Sequence, residues 1–294
     1  MRVAVTGASG FLGRHVVRHL GQAGHDVVPL GRAADGSGLT VLDGGSRAQR
    51  STPLSELLDG VDAVAHLAAR KVDDPATPLA GYLGPNVVLT EDLLRAAVDA
   101  GVRRFVLASS RMVYPSWLTG PLREDCPHPP DTAYGLSKRT AEDLLRLTTA
   151  RTSLAGLALR IGQVVGADGG GGVLPRLIDR ARTGGPLEVT GTGVAVRDFV
   201  DVADVAHAFV LAVQADAAVP VVNVGGPAPR SIADLARTVA VVTGLGEGAV
   251  VHVPTDDEDT SHYSLDRSLA RDALGWEPRR TLEETIRGRL EGPA

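Results

Sequence analysis

The chain has 294 residues, enough for one large or two small domains around a sizeable core. Its 30 basic and 35 acidic residues give a net charge of −5, which argues against a nucleic-acid partner. The single cysteine, Cys126 in the proline-rich DCPHPP loop, excludes an internal disulfide and suits a reducing, cytoplasmic setting.

No apolar run reaches membrane-spanning length, and MRVAVTG reads as a strand entering a glycine loop rather than a signal peptide. The eight histidines are scattered, without HExxH or a zinc-type Cys/His spacing, so no metal site is expected. VAVTG (3–7) predicts a first strand, followed by a helix through about Leu20. HDVVPLG (25–31), LTVLD (39–43) and VDAVAHLAA (61–69) predict three more strands. EDLLRAAVDAG (91–101) predicts a helix stopped by Gly101, and RFVLASS (104–110) a fifth strand. Residues 131–149 predict a long helix, and LALRIG (157–162) a sixth strand. Strands alternating with helices predict an α/β fold, a parallel sheet covered on both faces. GADGGGGV (166–173) must be loop, either a lid over a cleft or a surface linker. DVADVAHAFVLAV (201–213) is helical and VVNVGG (221–226) strand-like, and the tail adds helices and the acidic stretch PTDDEDTSHYS.

TGASGFLG (6–13) joins the first strand to the first helix. Gly7 permits the tight turn, Gly10 lets a pyrophosphate approach the backbone, and Gly13 lets helix and strand pack closely. The helix start at Phe11 and Leu12 then offers free N–H groups and a positive dipole end to phosphates. This context predicts dinucleotide binding. The second strand ends in LGR, so no carboxylate stands where NAD's ribose hydroxyl would be held. Arg32 suits a 2′-phosphate instead, which favours NADP(H) with NAD as the alternative.

Only two of the basic residues are lysines, Lys71 and Lys138, and Lys138 lies four residues after Tyr134 in AYGLSK. On a helix the two share a face, and an ammonium near a phenol lowers the tyrosine pKa. Tyr134 becomes a candidate acid/base, with Lys138 also reaching a nicotinamide ribose. Ser110, at the end of the fifth strand, is placed to hold a carbonyl or alkoxide oxygen.

TGASGFLG, HLAA (66–69), Asn86 in PNVVLTEDLL, SSRMVYP (109–115), YGLSK and RDFVDVADVA (197–206) occur together and in order. This set resembles the extended short-chain dehydrogenase/reductase family, the NAD-dependent epimerase/dehydratase group, over nearly the whole chain. The resemblance implies a tetrad of Asn86, Ser110, Tyr134 and Lys138. It implies cofactor contacts from Asp43 and Gly44, from Leu67, Ala68 and Ala69, and from Lys71. It also implies Gln163 and Arg197 as substrate ligands, and a homodimer through the helices after Asn86 and around Tyr134. The expected fold is a Rossmann-type doubly wound sheet, residues 1–165, with a small substrate domain, 166–294, from which 197–225 returns to the first.

Two departures narrow the chemistry. Arg111 and Met112 stand where sugar-nucleotide 4,6-dehydratases carry an Asp–Glu pair, so elimination of water is not expected. The stretch before Asp266 carries carboxylates where epimerases offer a diphosphate-binding arginine, leaving Arg230 and Arg267 as substitutes. The leading expectation is an NADPH-dependent ketoreductase acting on a 4-keto-6-deoxy sugar nucleotide or a similar ketone. The alternatives are an NAD-dependent sugar-nucleotide 4-epimerase and a non-catalytic dinucleotide sensor.

Overall fold

The computed structural model describes residues 1–43, 46–47, 51–71, 76–170, 172–216 and 219–291, with the backbone alone for Asp43, Ser46 and Arg47. Its central sheet is built from β1 (Arg2–Thr6), β2 (Asp26–Arg32), β3 (Leu39–Asp43), β4 (Ala63–His66), β5 (Arg104–Ser110), β6 (Ala155–Ile161) and β7 (Val221–Val224). They lie in the order β7-β6-β5-β4-β1-β2-β3, and Ser46–Arg47 pairs onto the β3 edge. The strands from β7 to β2 run parallel. The strand order reverses between β1 and β4, so the loop after β1 opens into the crevice where such sheets take ligands.

Strand residues alternate between two cores. Val3, Val5, Val106, Leu157 and Leu159 face one cluster, with α1 (Phe11–Gln22) and α5 (Val202–Gln214) packed on it. Ala4, Val64, Phe105, Leu107 and Ala158 face the other, beneath α2 (Leu89–Asp99) and α3 (Ala133–Thr149). Burial on both faces is why these strands read as unbroken apolar runs. Each fully buried Leu or Phe contributes about 1.5–3 kcal/mol.

The strand at 39–43 departs from the parallel expectation: β3 runs antiparallel to β2. Residues 33–38 are too few for a crossover, which takes about a dozen, so the chain can only fold back as a hairpin.

A third core joins α4 (Val173–Arg182), α6 (Ile232–Val242) and α7 (Leu282–Glu291) around Leu177, Ile178, Leu235, Val239 and Ile286. Beside it, Leu187–Thr190 pairs in parallel with Val250–Val253. Between these segments α5 returns to the first core, and β7 adds to the sheet beside β6. The aspartates of RDFVDVADVA hold this return together. Asp198 accepts from the N–H groups of Gly226 and Leu265. Asp201 caps α5, and Asp204 accepts from the N–H groups of Arg279 and Arg280.

Among its described residues, the glycine-rich loop after β6 is seated on α1. A Cβ at Gly166 or Gly169 would lie 2.9 or 2.7 Å from the Phe11 ring, and Asp168 pairs with His15 at 2.9 Å.

Candidate active site

The loop between β1 and α1 is shaped by contacts that exclude side chains. Gly7 has φ +71°, and a Cβ there would lie 2.8 Å from the Ala68 amide nitrogen. A Cβ at Gly13 would lie 2.1 Å from the Gly7 carbonyl oxygen. α1 begins after Gly10 with no side-chain cap and no acidic residue in its first turn. Its N-terminal N–H groups and dipole therefore face the crevice unneutralised. Leu12 packs on the first core, while Phe11 carries the 166–169 loop.

A buried relay joins this loop to Asn86. Thr6 Oγ1 accepts from the N–H groups of Leu67 and Ala68, both at 3.1 Å. Its own proton therefore goes to His66 Nδ1, 2.7 Å away. That fixes the His66 tautomer, so Nε2–H donates to Thr90 Oγ1 at 3.0 Å, and Thr90 donates to the Asn86 carbonyl at 2.7 Å. Burial, with the nearby Lys138 charge, lowers the His66 pKa to about 3, so the ring is neutral at pH 7.

The Asn86 side chain is fully engaged. Its Oδ1 accepts from Arg70 N–H at 2.7 Å, and its Nδ2 donates to Arg70 C=O at 3.1 Å and to Ser137 Oγ at 3.0 Å. Ser137 in turn donates to the Tyr134 carbonyl. Asn86 thus braces the start of α3 against the end of β4.

Thr132 caps α3 by accepting from Gly135 N–H at 3.0 Å. Gly135 brings the helix close: a Cβ there would lie 1.9 Å from the Met112 carbonyl oxygen. Tyr134 is thereby pressed to Ser110, whose hydroxyl accepts from Met112 N–H at 3.2 Å and hydrogen-bonds the phenol. Tyr82 meets the Tyr134 ring edge-on at 5.7 Å.

The electrostatics differ from the expectation that Lys138 lowers Tyr134. Burial raises the Tyr134 pKa above the ordinary tyrosine value, and the Ser110 hydrogen bond and the Arg111 charge only partly offset it. Lys138 is itself buried, which lowers its pKa to about 8 against the raising effect of Glu142. Its ammonium makes no hydrogen bond or ion pair with the described residues. Behind it Glu142 is held by Arg160 at 2.8 Å and by Ser109 at 2.5 Å, while Arg160 also donates to the Tyr114 hydroxyl.

Other expected contacts are dispersed. Arg32 is exposed and lines a groove of about 650 Å³ with Arg70, Gly81, Pro85 and Leu89. Gly31 has a packing reason of its own, since a Cβ would lie 2.6 Å from the Leu42 side chain. Because β3 runs back along β2, Asp43 lies beyond the Val41–Leu30 pairing, away from the strand ends that carry the glycine loop. Gly44 and the Asp43 side chain lie outside the described residues. Ala69 and Lys71 are exposed, and Lys71 has no hydrogen bond or ion pair among the described residues.

Gln163 and Arg197 do come together, in a cavity of about 530 Å³ that Arg176, Thr190, Phe199 and Asp259 also line. Arg197 is ion-paired with Asp259 and donates to the carbonyls of Val196 and Ser261. Arg230 and Arg267 line neither this cavity nor the groove. Tyr82, Arg176, Asp259 and Tyr263 escape sequence reasoning. The one available signal is Arg111, which follows Ser110 directly.

The cradle at Gly7, Gly10 and Gly13, the open end of α1 and the unpartnered Lys138 fit a nicotinamide dinucleotide. The chain belongs to the NAD dependent epimerase/dehydratase family, whose model matches residues 3–225. It is an NAD(P)-dependent enzyme of the extended short-chain dehydrogenase/reductase type, which removes the sensor alternative. It is 34% identical to a dTDP-6-deoxy-L-talose 4-dehydrogenase (NAD(P)(+)) of Kitasatospora kifunensis, over 97% of this chain and 93% of that one. It is 30% identical to a UDP-glucose 4-epimerase of Azospirillum brasilense, over 98% and 91%. Among solved structures, MoeE5 in complex with UDP-glucuronic acid and NAD superimposes with a TM-score of 0.84 at 33% identity, covering 99% of this chain and 98% of that one.

Proposed function

We propose that this enzyme is an NADP(H)-dependent ketoreductase that reduces a ketone on a nucleotide-linked sugar, with C4 as the reacting carbon. The observation that carries the reading is the end of β2, where Arg32 stands at the groove and no carboxylate is present. A 2′-phosphate there would meet Arg32. The similarity to sugar-nucleotide dehydrogenases and epimerases supports the substrate class, and the cavity around Gln163, Arg176 and Arg197 suits the nucleotide and its diphosphate.

The cradle and Lys138 would hold the dinucleotide, which when bound supplies the hydride for the carbonyl carbon. Tyr134 donates its phenolic proton to the oxygen as the carbonyl becomes a hydroxyl. Burial keeps Tyr134 protonated at neutral pH, the form this direction needs. Ser110 donates a hydrogen bond to the same oxygen and stabilises the charge that develops there. Arg111 and Met112 offer no acid–base pair for eliminating water. Apolar side chains left exposed on and beside α2 and α3, at Leu83, Val88, Leu136 and Leu147, support a homodimer through these helices.

The test is to denature freshly purified protein, identify any released nucleotide, and titrate the emptied protein with NADPH and NADH. An empty protein that binds NADPH well ahead of NADH supports the reductase. Stoichiometric NAD carried through purification supports the second reading, a 4-epimerase, which the similarity to UDP-glucose 4-epimerases favours. In that case Tyr134 first takes the C4 hydroxyl proton and later returns it, and Arg32 is a surface residue.

A further inference from the structure

Arg111 has no task in the chemistry described so far. Its guanidinium donates no hydrogen bond and forms no ion pair among the described residues, and its Nε is buried without a partner. It stacks over the Tyr263 ring at 4.8 Å. Arg197 lies 5.5 Å from the same ring but is already committed to Asp259. The nearby Asp198 acts on Arg111 through its charge but forms no ion pair with it, and its two oxygens each accept from a backbone N–H group. Burial lowers the Arg111 pKa only to about 10, so it stays cationic at neutral pH. Arg111 is partly buried, and a cation withdrawn from water without an ion-pair partner is costly, so a bound anion would reduce that cost.

The position of Arg111 says where the anion belongs. It directly follows Ser110, which hydrogen-bonds Tyr134, so it serves the reacting end of the substrate. The nucleotide end has its own arginines in the cavity, Arg176 and Arg197. We propose that Arg111 is a specificity residue for a carboxylate carried by the reacting sugar, gripped through two parallel N–H···O bonds. The substrate is then a nucleotide-linked uronic acid rather than a neutral or 6-deoxy hexose. A methyl or hydroxymethyl group would leave the guanidinium unpaired, whereas a carboxylate matches its planar fork. This rests on the nucleotide-sugar reading above.

The test compares UDP-glucuronic acid with UDP-glucose, or the dTDP-linked pair, whichever nucleoside diphosphate the holoenzyme binds; both carry the C4 hydroxyl, so turnover is followed in the oxidising direction with NADP+ or NAD+ as hydride acceptor. Arg111→Gln and Arg111→Lys are measured beside the unaltered protein. The unaltered enzyme should favour the uronate. In Arg111→Gln the ratio of kcat/KM for uronate over hexose should fall by about 30- to 100-fold, the scale of a lost charge-assisted hydrogen bond. Arg111→Lys keeps the charge without the fork and should fall between; it also supplies the reading if the Gln variant does not fold. Affinity for the bare nucleoside diphosphate should not change. The proposal is overturned if the unaltered enzyme shows no preference for the uronate. It is also overturned if both sugars lose equally, which would assign Arg111 to the diphosphate or to Tyr134. If neither UDP nor dTDP binds, the nucleotide-sugar reading fails first and takes this inference with it.

Discussion

A methyl group on residue 135 would lie 1.9 Å from a backbone oxygen, that of Met112, which has no room to retreat. The glycine inside the Tyr-Gly-Leu-Ser-Lys run is therefore what lets the phenol reach Ser110. Gly135→Ala should cost about 3 kcal/mol as overpacking between rigid elements. It should also lower kcat, because α3 must shift; denaturant unfolding together with turnover reads both, and an unaltered kcat would reject the positioning argument. Tyr134→Phe makes a different prediction. It removes the proton donor but keeps the ring and its contact with Tyr82, so kcat should fall by about 10²- to 10⁴-fold. Cofactor affinity, followed by nucleotide fluorescence, should hold. At this scale the sequence is informative where geometry repeats locally: Gly7 with Gly13 needs only a nearby partner, and the four-residue spacing of Tyr134 and Lys138 puts both on α3. Arg111 is opaque for the opposite reason, since its meaning depends on Tyr263 and Asp198, which only the fold brings near. The electrostatic reading of Tyr134 fails similarly, because burial, invisible in a four-residue spacing, outweighs any neighbouring charge.

Two of the buried polar networks that join elements each make a prediction. The Thr6–His66–Thr90 relay ties β1 and β4 to α2 and needs a neutral His66. In the folded protein this ring has a pKa of about 3, against about 6.5 for an exposed histidine. Below about pH 6.5 the unfolded chain therefore binds a proton that the folded chain does not. The stability this group contributes is full above that pH and is lost as pH falls toward 3. From pH 6.5 to 5 the loss should be about 2 kcal/mol. His66→Gln, which cannot titrate, should flatten that part of the stability profile measured by urea unfolding; an unchanged slope would show that another group sets it. The second network is the Glu142–Arg160 pair joining α3 to β6. Arg160→Met leaves the Glu142 carboxylate buried and unpaired, and should cost about 3–5 kcal/mol in the same assay. The strands themselves are legible because burial on both faces removes polar residues from them. The direction of β3 is not, since an LTVLD segment suits either sense, and only the short 33–38 connection forces the hairpin.

On the scale of the molecule, the proposed dimer has a specific seam. Leu136 and Leu147, each 42% exposed, lie three turns apart on one face of α3. Light scattering should give twice the monomer mass, and Leu136→Glu with Leu147→Glu should halve it; a clean monomer of the unaltered chain at working concentration would reject the seam. The strand order has a further consequence, for how the chain is made. β6 is complete at residue 161, but its outer neighbour β7 comes only at residues 221–224, after much of the third core's chain has intervened. Until then β6 presents an open hydrogen-bonding edge, and until α5 is made at residues 202–214 the apolar face it covers is bare. A nascent chain leaving the ribosome therefore carries its stickiest surface for the time taken to add some sixty more residues, several seconds at about 5–20 residues per second. No cut near residue 165 can yield a self-sufficient first half, because the later chain supplies its outer wall.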